Sequence, residues 1–506
     1  MKWSLYEKTK CGVLSDLPRG RRAVGSKWVF KTKTGANGEI LRYKARLVAR
    51  GFSQIPGADY DETFSPVVRG ESLRTMFALS AQNNLPVHQM DVETAFLNGI
   101  LEEDVYMTQP EGSEEEGQEH LVCRLKRSLY GLKQSPRCWN QVLDVHLRDF
   151  GFYPLTQDPC IYKASGQSTL LLVAVYVDDL LIAGANSAAV NSTKVHLTKK
   201  FRMHDLGLLE HFLGIHVRQT PGRLWIGQSL YIRQILSKFG MTDSKPVSTP
   251  ADSSSKLTKR QENEESADQL LYQAAVGCLL YLSTKTRPDI SFAVGNVARY
   301  CSDPGTTHWT AVKRVMRYLQ GTDELGILYQ QCSIPCIGYS DADWGGSLDD
   351  RRSTSGYLFI WAGGAVSWKS VRQKCVALST AEAEYVALSS AAQEAIWVSQ
   401  LISEMASWKL QSMEIMEDNQ SAIEIAKNPK CHGRTKHIDI RHHFVRDLVT
   451  QGSIHLTYCP TKEMLADLLT KGLPTEQFRV LRRAMGVTPW ESKSHNNEGG
   501  VLESSL

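Results

Sequence analysis

No stretch of this 506-residue chain is apolar for long enough to cross a membrane. The longest apolar run, Leu170 to Val177, is far short of the roughly 20 residues a spanning helix needs, and Met1-Lys2-Trp3 does not open a secretory signal. Both features predict an intracellular protein. Cysteine is equally unhelpful as a scaffold. The 11 cysteines are odd in number and irregularly spaced, which argues against a disulfide framework and for buried thiols in a reducing compartment. Cys332 and Cys336 form a lone pair with no second pair to complete a zinc site. Disorder is excluded as the global state, because 42% hydrophobic and 22% charged residues is an ordinary globular composition. A chain of this length outgrows a single hydrophobic core, so two or more domains are predicted.

What is present is unevenly placed. Residues 1–60 hold 13 Lys and Arg against 4 Asp and Glu, whereas the rest of the chain nets −5. That cluster is either a phosphate-contacting patch or a solvated basic face. Lys27 to Lys33 and Tyr43 to Arg50 read as strands flanking a turn at Gly35-Ala36-Asn37-Gly38, a hairpin with a cationic face. Glu111 to Glu119 reads as an exposed acidic loop. Trp139, Leu143, Leu147 and Phe150 recur at helical spacing after Pro136, so a helix buries one apolar face there. Ser244 to Asp268 has the composition of a linker. Leu270 to Leu282 and Trp309 to Leu319 look like amphipathic helices, and a further segment begins near Ile337.

The chemistry concentrates at Tyr176-Val177-Asp178-Asp179. Two apolar runs, Leu170 to Val177 and Leu180 to Gly184, enclose adjacent aspartates, which predicts a β-hairpin with two carboxylates at its tip. Apolar strands gain no stability from neighbouring desolvated charges unless a cation neutralises them. The plain alternative is that Asp simply favours turns. A third carboxylate, Asp91, ends the strand-like Val87 to Val92, so two strand ends can converge on a pair of Mg²⁺ ions, the arrangement of two-metal phosphoryl transfer.

Around these acids stand Arg42-Tyr43-Lys44-Ala45-Arg46-Leu47-Val48-Ala49-Arg50-Gly51, Asp61-Glu62-Thr63-Phe64-Ser65-Pro66-Val67-Val68, Met90 to Gly99, and Leu129-Tyr130-Gly131-Leu132-Lys133-Gln134-Ser135-Pro136. In this order they resemble the reverse transcriptase and ribonuclease H part of a copia-type long-terminal-repeat retrotransposon Pol polyprotein. The similarity covers nearly all of residues 3–475. It implies an α+β fold: a right-hand polymerase of fingers, palm and thumb with a two-Asp hairpin, a helical connection and an α/β ribonuclease H-like domain. The boundaries it implies are 1–243 for fingers, palm and the start of the thumb, 244–268 for the linker, and 269–335 for the helical thumb and connection. The ribonuclease H-like domain would follow at 336–475 and a C-terminal tail at 476–506.

By that resemblance Asp91, Asp178 and Asp179 bind two Mg²⁺ or Mn²⁺ ions. Phe96 sits under the incoming sugar, where a ring leaves no room for a 2′-hydroxyl, so the substrate is a dNTP. Lys44 or Arg46 holds the triphosphate, Gly131 and Gln134 line the nucleotide and template pocket, and Phe212-Leu213-Gly214 either grips the primer end or belongs to the core. The partners implied are an RNA template, a DNA primer and an RNA/DNA hybrid, in the cytoplasm, a virus-like particle or the nucleus. The gag, protease and integrase parts of such a polyprotein are not found in this sequence, so a piece of a longer polyprotein is expected. The alternative reading is a catalytically silent, co-opted fragment that only binds nucleic acid; the intact carboxylates count against it.

A second acidic set lies further on. Ile337 to Trp344 reads as a strand ending in carboxylates, followed by a hairpin from Gly356 to Trp368, a long helix from about Thr380, a strand Met413-Glu414-Ile415-Met416, and Asp418-Asn419 capping another helix. That order resembles ribonuclease H, and by motif Asp341, Glu384, Asp418 and Asp467 are its four metal-binding carboxylates, again with two ions. Each has a rival. Asp343 lies two residues from Asp341, Glu382 lies about 200° around the helix from Glu384, and Asp418 alone could be an N-cap. Cys431, His432, His437, His442 and His443 invite a zinc reading, but no Cys-x2-Cys accompanies them. The loop Tyr458 to Glu463 carries no histidine, which leaves the proton-transfer role unassigned.

Overall fold

The computed structural model describes residues 12–34, 40–166, 169–406, 408, 412–427 and 439–491. They form two compact units, one drawn from Met1–Leu73 and Pro86–Leu209 and the other from Arg74–Leu85 and Glu210–Leu506. Helices and sheets are mixed in both, so the fold class is α+β as the resemblance implies. Among the described residues no helix is long and apolar enough to cross a membrane.

The first unit is built on a six-stranded antiparallel sheet in the order Met203–Leu208, Val87–Val92, Asp179–Gly184, Leu171–Tyr176, Ile161–Ala164, Phe152–Pro154. Its central strands read as continuous apolar runs because both of their faces are buried. Leu180 and Ile182 pack against Trp139, Leu143 and Leu147 of the helix Ser135–Asp149 and against Val190 and Leu197 of the helix Ser187–Lys200, while Leu181 and Ala183 are buried on the opposite face. Each large side chain so buried contributes roughly 1.5–3 kcal/mol. Pro136 opens the first helix, where its missing N–H costs nothing. Asn186 caps the second by accepting from the Ala188 and Ala189 N–H groups.

The basic hairpin is present as Ser26–Thr34 paired antiparallel with Ile40–Ala49, setting Trp28 opposite Leu47 and Lys31 opposite Lys44. Its turn at 35–38 lies outside the described residues. A three-stranded sheet, in the order Gly12–Ser15, Val122–Arg127, Ile100–Thr108, completes this unit.

The second unit holds two five-stranded sheets. One runs His211–Phe212, Ile215–Thr220, Arg223–Gly227, Leu325–Gln330, Val487–Pro489, all antiparallel. Residues 476–489, within the stretch read as a tail, therefore belong to the helix Thr475–Ala484 and an edge strand. The predicted amphipathic helices appear as Gln269–Lys285 and Thr306–Gln320. Beside them a buried ion pair forms: Arg287 donates to both oxygens of Asp289 at 2.9 and 2.8 Å, and the Tyr318 hydroxyl donates to Asp289 at 2.6 Å.

The other sheet runs Gly364–Arg372, Thr354–Trp361, Ile337–Ala342, Met413–Glu417, Ile454–Tyr458. Its first three strands are antiparallel neighbours and its last two join in parallel, with the helix Thr380–Ala406 packed against it. Ala362 and Gly363 take positive φ values of 51° and 74°, the backbone that a two-residue hairpin turn requires. This unit also takes in most of the helix Gly70–Gln82. There the buried Arg74 donates from Nε to the Val366 carbonyl and from Nη1 to the Thr284 carbonyl, both at 2.9 Å, with its guanidinium 3.9 Å from the Trp368 ring centre.

Candidate active sites

In the first unit the strands themselves assemble the acids. Asp91 and Asp179 are paired across adjacent antiparallel strands, so their side chains rise from the same face about 4.5–5.5 Å apart at Cβ. Tyr176 pairs with Asp179, which leaves Val177 and Asp178 as the two residues of the hairpin turn. Val177 has φ of 55°, a left-handed conformation that costs a β-branched residue of order 1–3 kcal/mol. Two bonds hold the turn in place: the Trp139 indole N–H donates to the Val177 carbonyl at 2.6 Å, and the Val92 N–H donates to the Asp178 carbonyl at 2.8 Å. The helix that sequence periodicity identified as core thus also fixes the carboxylate tip.

The Gln89 amide donates to Asp179 at 2.9 Å. Burial, together with the Asp178 and Asp91 charges, nevertheless pushes the Asp179 carboxyl above its ordinary range, against the pull of Gln89. Close by, the Phe96 ring lies 4.8 Å from that of Tyr130, and the Arg46 guanidinium lies 5.6 Å from the Tyr130 ring centre. Burial raises the Tyr130 hydroxyl, and the Asp178 charge adds to the shift. Acids, aromatic pair and arginine therefore share one field.

In the second unit Asp341, the penultimate residue of its strand, is 1% exposed and accepts from the Thr470 hydroxyl. Asp467, as buried as Asp341, lies 2.8 Å from the Lys471 ammonium, which is 3.9 Å from Asp341. Asp341, Asp418 and Asp467 each offer an oxygen within 4.8 Å of the others, and so do Glu384, Glu417 and Asp418. Asp418 belongs to both sets. Burial raises the carboxyls of Asp341, Glu384, Glu417 and Asp467, in Glu384 with help from the Asp341 charge. Such a concentration of desolvated acids is chemically suited to divalent cations, which would neutralise it.

The model of the family described as reverse transcriptase (RNA-dependent DNA polymerase) matches residues 10–253. The retrovirus-related Pol polyprotein from transposon TNT 1-94 of Nicotiana tabacum is 42% identical over 482 residues, 94% of this chain and 36% of that one. The putative transposon Ty5-1 protein of Saccharomyces cerevisiae is 34% identical over its full length, which is 60% of this chain. The chain belongs to the reverse transcriptase family of copia-type retrotransposon Pol polyproteins. It spans about a third of the length of the curated Pol relatives it matches from end to end. A solved structure of a foamy viral protease-reverse transcriptase in complex with RNA/DNA hybrid aligns over 90% of this chain and 51% of that one, at 13% identity and a TM-score of 0.46. The family generally uses divalent metals, and in the second unit the two overlapping acid sets bring oxygens close enough to share one.

Within this Pol chain the predicted residues divide. Asp91, Asp178 and Asp179 come together, with Phe96 and Arg46 beside them. Lys44 lies on the strand two residues before Arg46, its side chain outside the described residues. Gly131 shapes the backbone. Its φ is 96°, and a Cβ there would collide with the carbonyl of Ala49, a residue whose N–H donates to the Tyr130 carbonyl at 2.8 Å. Gly131→Ala should cost the first unit more than about 1–3 kcal/mol, read from the shift of its denaturant midpoint.

Gln134 needs correction as a substrate contact. It is fully buried, donates to the Asp59 carbonyl at 2.8 Å and accepts from the Gln54 amide at 3.0 Å, so it braces the turn from behind. Phe212 is buried, as its core reading predicts, while Leu213 and Gly214 turn the hairpin with φ of 49° and 71°.

The rivals in the second set separate cleanly. Asp343 lies beyond the strand end and accepts from the Thr354 N–H, and Glu382 turns back to accept from the Leu378 N–H at 2.8 Å. Asn419, not Asp418, caps the helix Gln420–Lys427, its Oδ1 accepting from the Ala422 N–H at 3.0 Å. Asp418 is left for the acid cluster and accepts from the Thr461 hydroxyl at 2.7 Å. Cys431, His432 and His437 lie outside the described residues, as does the side chain of His442, and His443 is exposed. Glu417 escaped the sequence reading. Its signal is the period-two pattern Met413, Ile415, Glu417, which puts an acid where the strand's buried face calls for an apolar residue.

Proposed function

We propose that this chain is an RNA- and DNA-templated DNA polymerase with a second, ribonuclease H activity on RNA/DNA hybrids, working in retrotransposon replication. The observation that carries the polymerase reading is the register setting Asp91 opposite Asp179 with Asp178 at the tip of the same turn. These three carboxylates would hold two Mg²⁺ or Mn²⁺ ions, which when bound supply activation of the primer hydroxyl and stabilisation of the leaving oxygen. The primer 3′-hydroxyl attacks the α-phosphate of a dNTP and pyrophosphate departs. Arg46, with Lys44 on the same strand, binds the triphosphate. Phe96, backed by Tyr130, closes the space a ribose 2′-hydroxyl would need. Gly131 and the buried Gln134 keep the wall of the nucleotide pocket in shape.

In the second unit Asp341, Glu384, Asp418 and Asp467 would hold the ions for hybrid hydrolysis, a reading supported by their convergence within two overlapping sets. Two assays separate the activities. Primer extension on an RNA template with Mg²⁺ or Mn²⁺ should show dNTP incorporation and discrimination against rNTPs; a well-folded chain that incorporates nothing would rule out the polymerase. Cleavage of a labelled RNA/DNA hybrid should fall by roughly 10²-fold or more in Asp418→Asn. Cleavage equal to that of the unaltered protein would remove Asp418 from the site.

A further inference from the structure

We propose that Glu417 is a fifth metal-binding carboxylate of the nuclease site and that, with Glu384 and Asp418, it forms the pocket for the more tightly held divalent cation. The proposal rests on the ribonuclease reading and goes beyond its four acids.

Three observations carry it. Glu417 is 0% exposed, and its Oε2 has no hydrogen-bond partner, the same condition as Oε2 of Glu384. Its other oxygen accepts a long bond, 3.2 Å, from the Asn419 N–H, and the nearby Ser340 hydroxyl offsets a small part of the cost of burial. A buried carboxylate so poorly satisfied costs stability unless a cation completes its coordination. Second, the pattern of the strand shows no reason of packing for an acid there. Met413 and Ile415 occupy the same buried face, and Ser340 pairs with Glu417 on the neighbouring strand, one residue before Asp341. Third, the two overlapping acid sets are not equivalent in charge. The Asp341 and Asp467 side already has the Lys471 ammonium and the Thr470 hydroxyl. Among the described residues neither Glu384 nor Glu417 has an ion-pair partner. A divalent ion therefore gains most on the Glu384, Glu417 and Asp418 side, whereas on the other side it competes with Lys471.

The test is Mn²⁺ binding to the full chain, followed by electron paramagnetic resonance of free Mn²⁺ and by the Mn²⁺-induced rise in Tm. Asp91→Asn, Asp178→Asn and Asp179→Asn are combined as background, so that bound ions report the second unit. Glu417→Gln should weaken the tighter Mn²⁺ by at least about tenfold and shrink its Tm rise, without lowering the metal-free Tm. Lys471→Met should leave that ion's affinity within about twofold and strengthen binding of the other. Should Glu417→Gln fail to fold, Glu417→Asp, which withdraws the charge by one methylene, should weaken binding in the same direction. Binding lost in Asp418→Asn but unchanged in the folded Glu417 variant would overturn the role of Glu417 alone. Background protein whose Mn²⁺ binding is indifferent to Asp418→Asn would overturn the nuclease site with it.

Discussion

Asp178→Asn is expected to reduce dNTP incorporation by about 10²–10³-fold or more while moving Tm by no more than about 2 °C. The separation of the two effects follows from the turn. Asp178 is half-buried at the tip, and the turn is held by its backbone carbonyl, which the Val92 N–H engages, and by the Trp139 bond to Val177. An asparagine side chain leaves both bonds intact. It also removes one of the two charges, Asp178 and Asp91, that crowd Asp179 and Tyr130, a change that favours the fold. What is lost is a hard oxygen charge at the place where cations are to be held. Equal incorporation by the variant and the unaltered protein, measured by single-turnover extension, would take Asp178 out of the chemistry.

The largest effect on stability belongs to a residue outside both acidic sets. Asp289→Ala should destabilise the second unit by roughly 3–5 kcal/mol, because it strands the Arg287 guanidinium in a site where both partners are 0% exposed. Arg287 would keep the Thr322 carbonyl and hydroxyl, each 2.9 Å away, and the Tyr318 ring, 5.4 Å from its guanidinium, but no carboxylate. Replacing the pair together, Arg287→Met with Asp289→Leu, should recover most of the loss, and a double-mutant cycle in denaturant reads the coupling. The pH dependence has a definite sign. Burial alone would raise the Asp289 carboxyl, but the Arg287 charge and the bonds from Arg287 and Tyr318 hold it below its ordinary value. The stability it contributes is therefore complete above the ordinary carboxylate range and is lost as pH falls through the lowered value in the folded state.

The parts of the site that were legible in the sequence are those written in local patterns. The hairpin of Asp178 and Asp179 is visible because two apolar runs leave no packing reason for adjacent acids, and the helix of Trp139 is visible because its stripe recurs at the helical period. What the sequence did not disclose depends on distant partners. Gln134 reads as a polar turn residue until Gln54 and Asp59 are seen to bury it. Glu417 reads as the end of a strand until Glu384 arrives from a helix and Ser340 from a parallel neighbour. The pairing of Val487–Pro489 with Leu325–Gln330 spans too much chain for any periodicity to announce it.

The helix Gly70–Gln82 has a consequence for how the chain is made. The acceptor of Arg74 at Val366 is 292 residues downstream, so at roughly 5–20 residues per second a ribosome delivers it about 15–60 s after the helix has emerged. During that interval Met76, Phe77 and Leu79, each at most 1% exposed in the finished protein, lack the later-made residues of the unit to which they belong. Nascent chains should therefore recruit a hydrophobic-binding chaperone in this window. A fragment ended at Leu209 would keep every polymerase carboxylate and still be prone to precipitate.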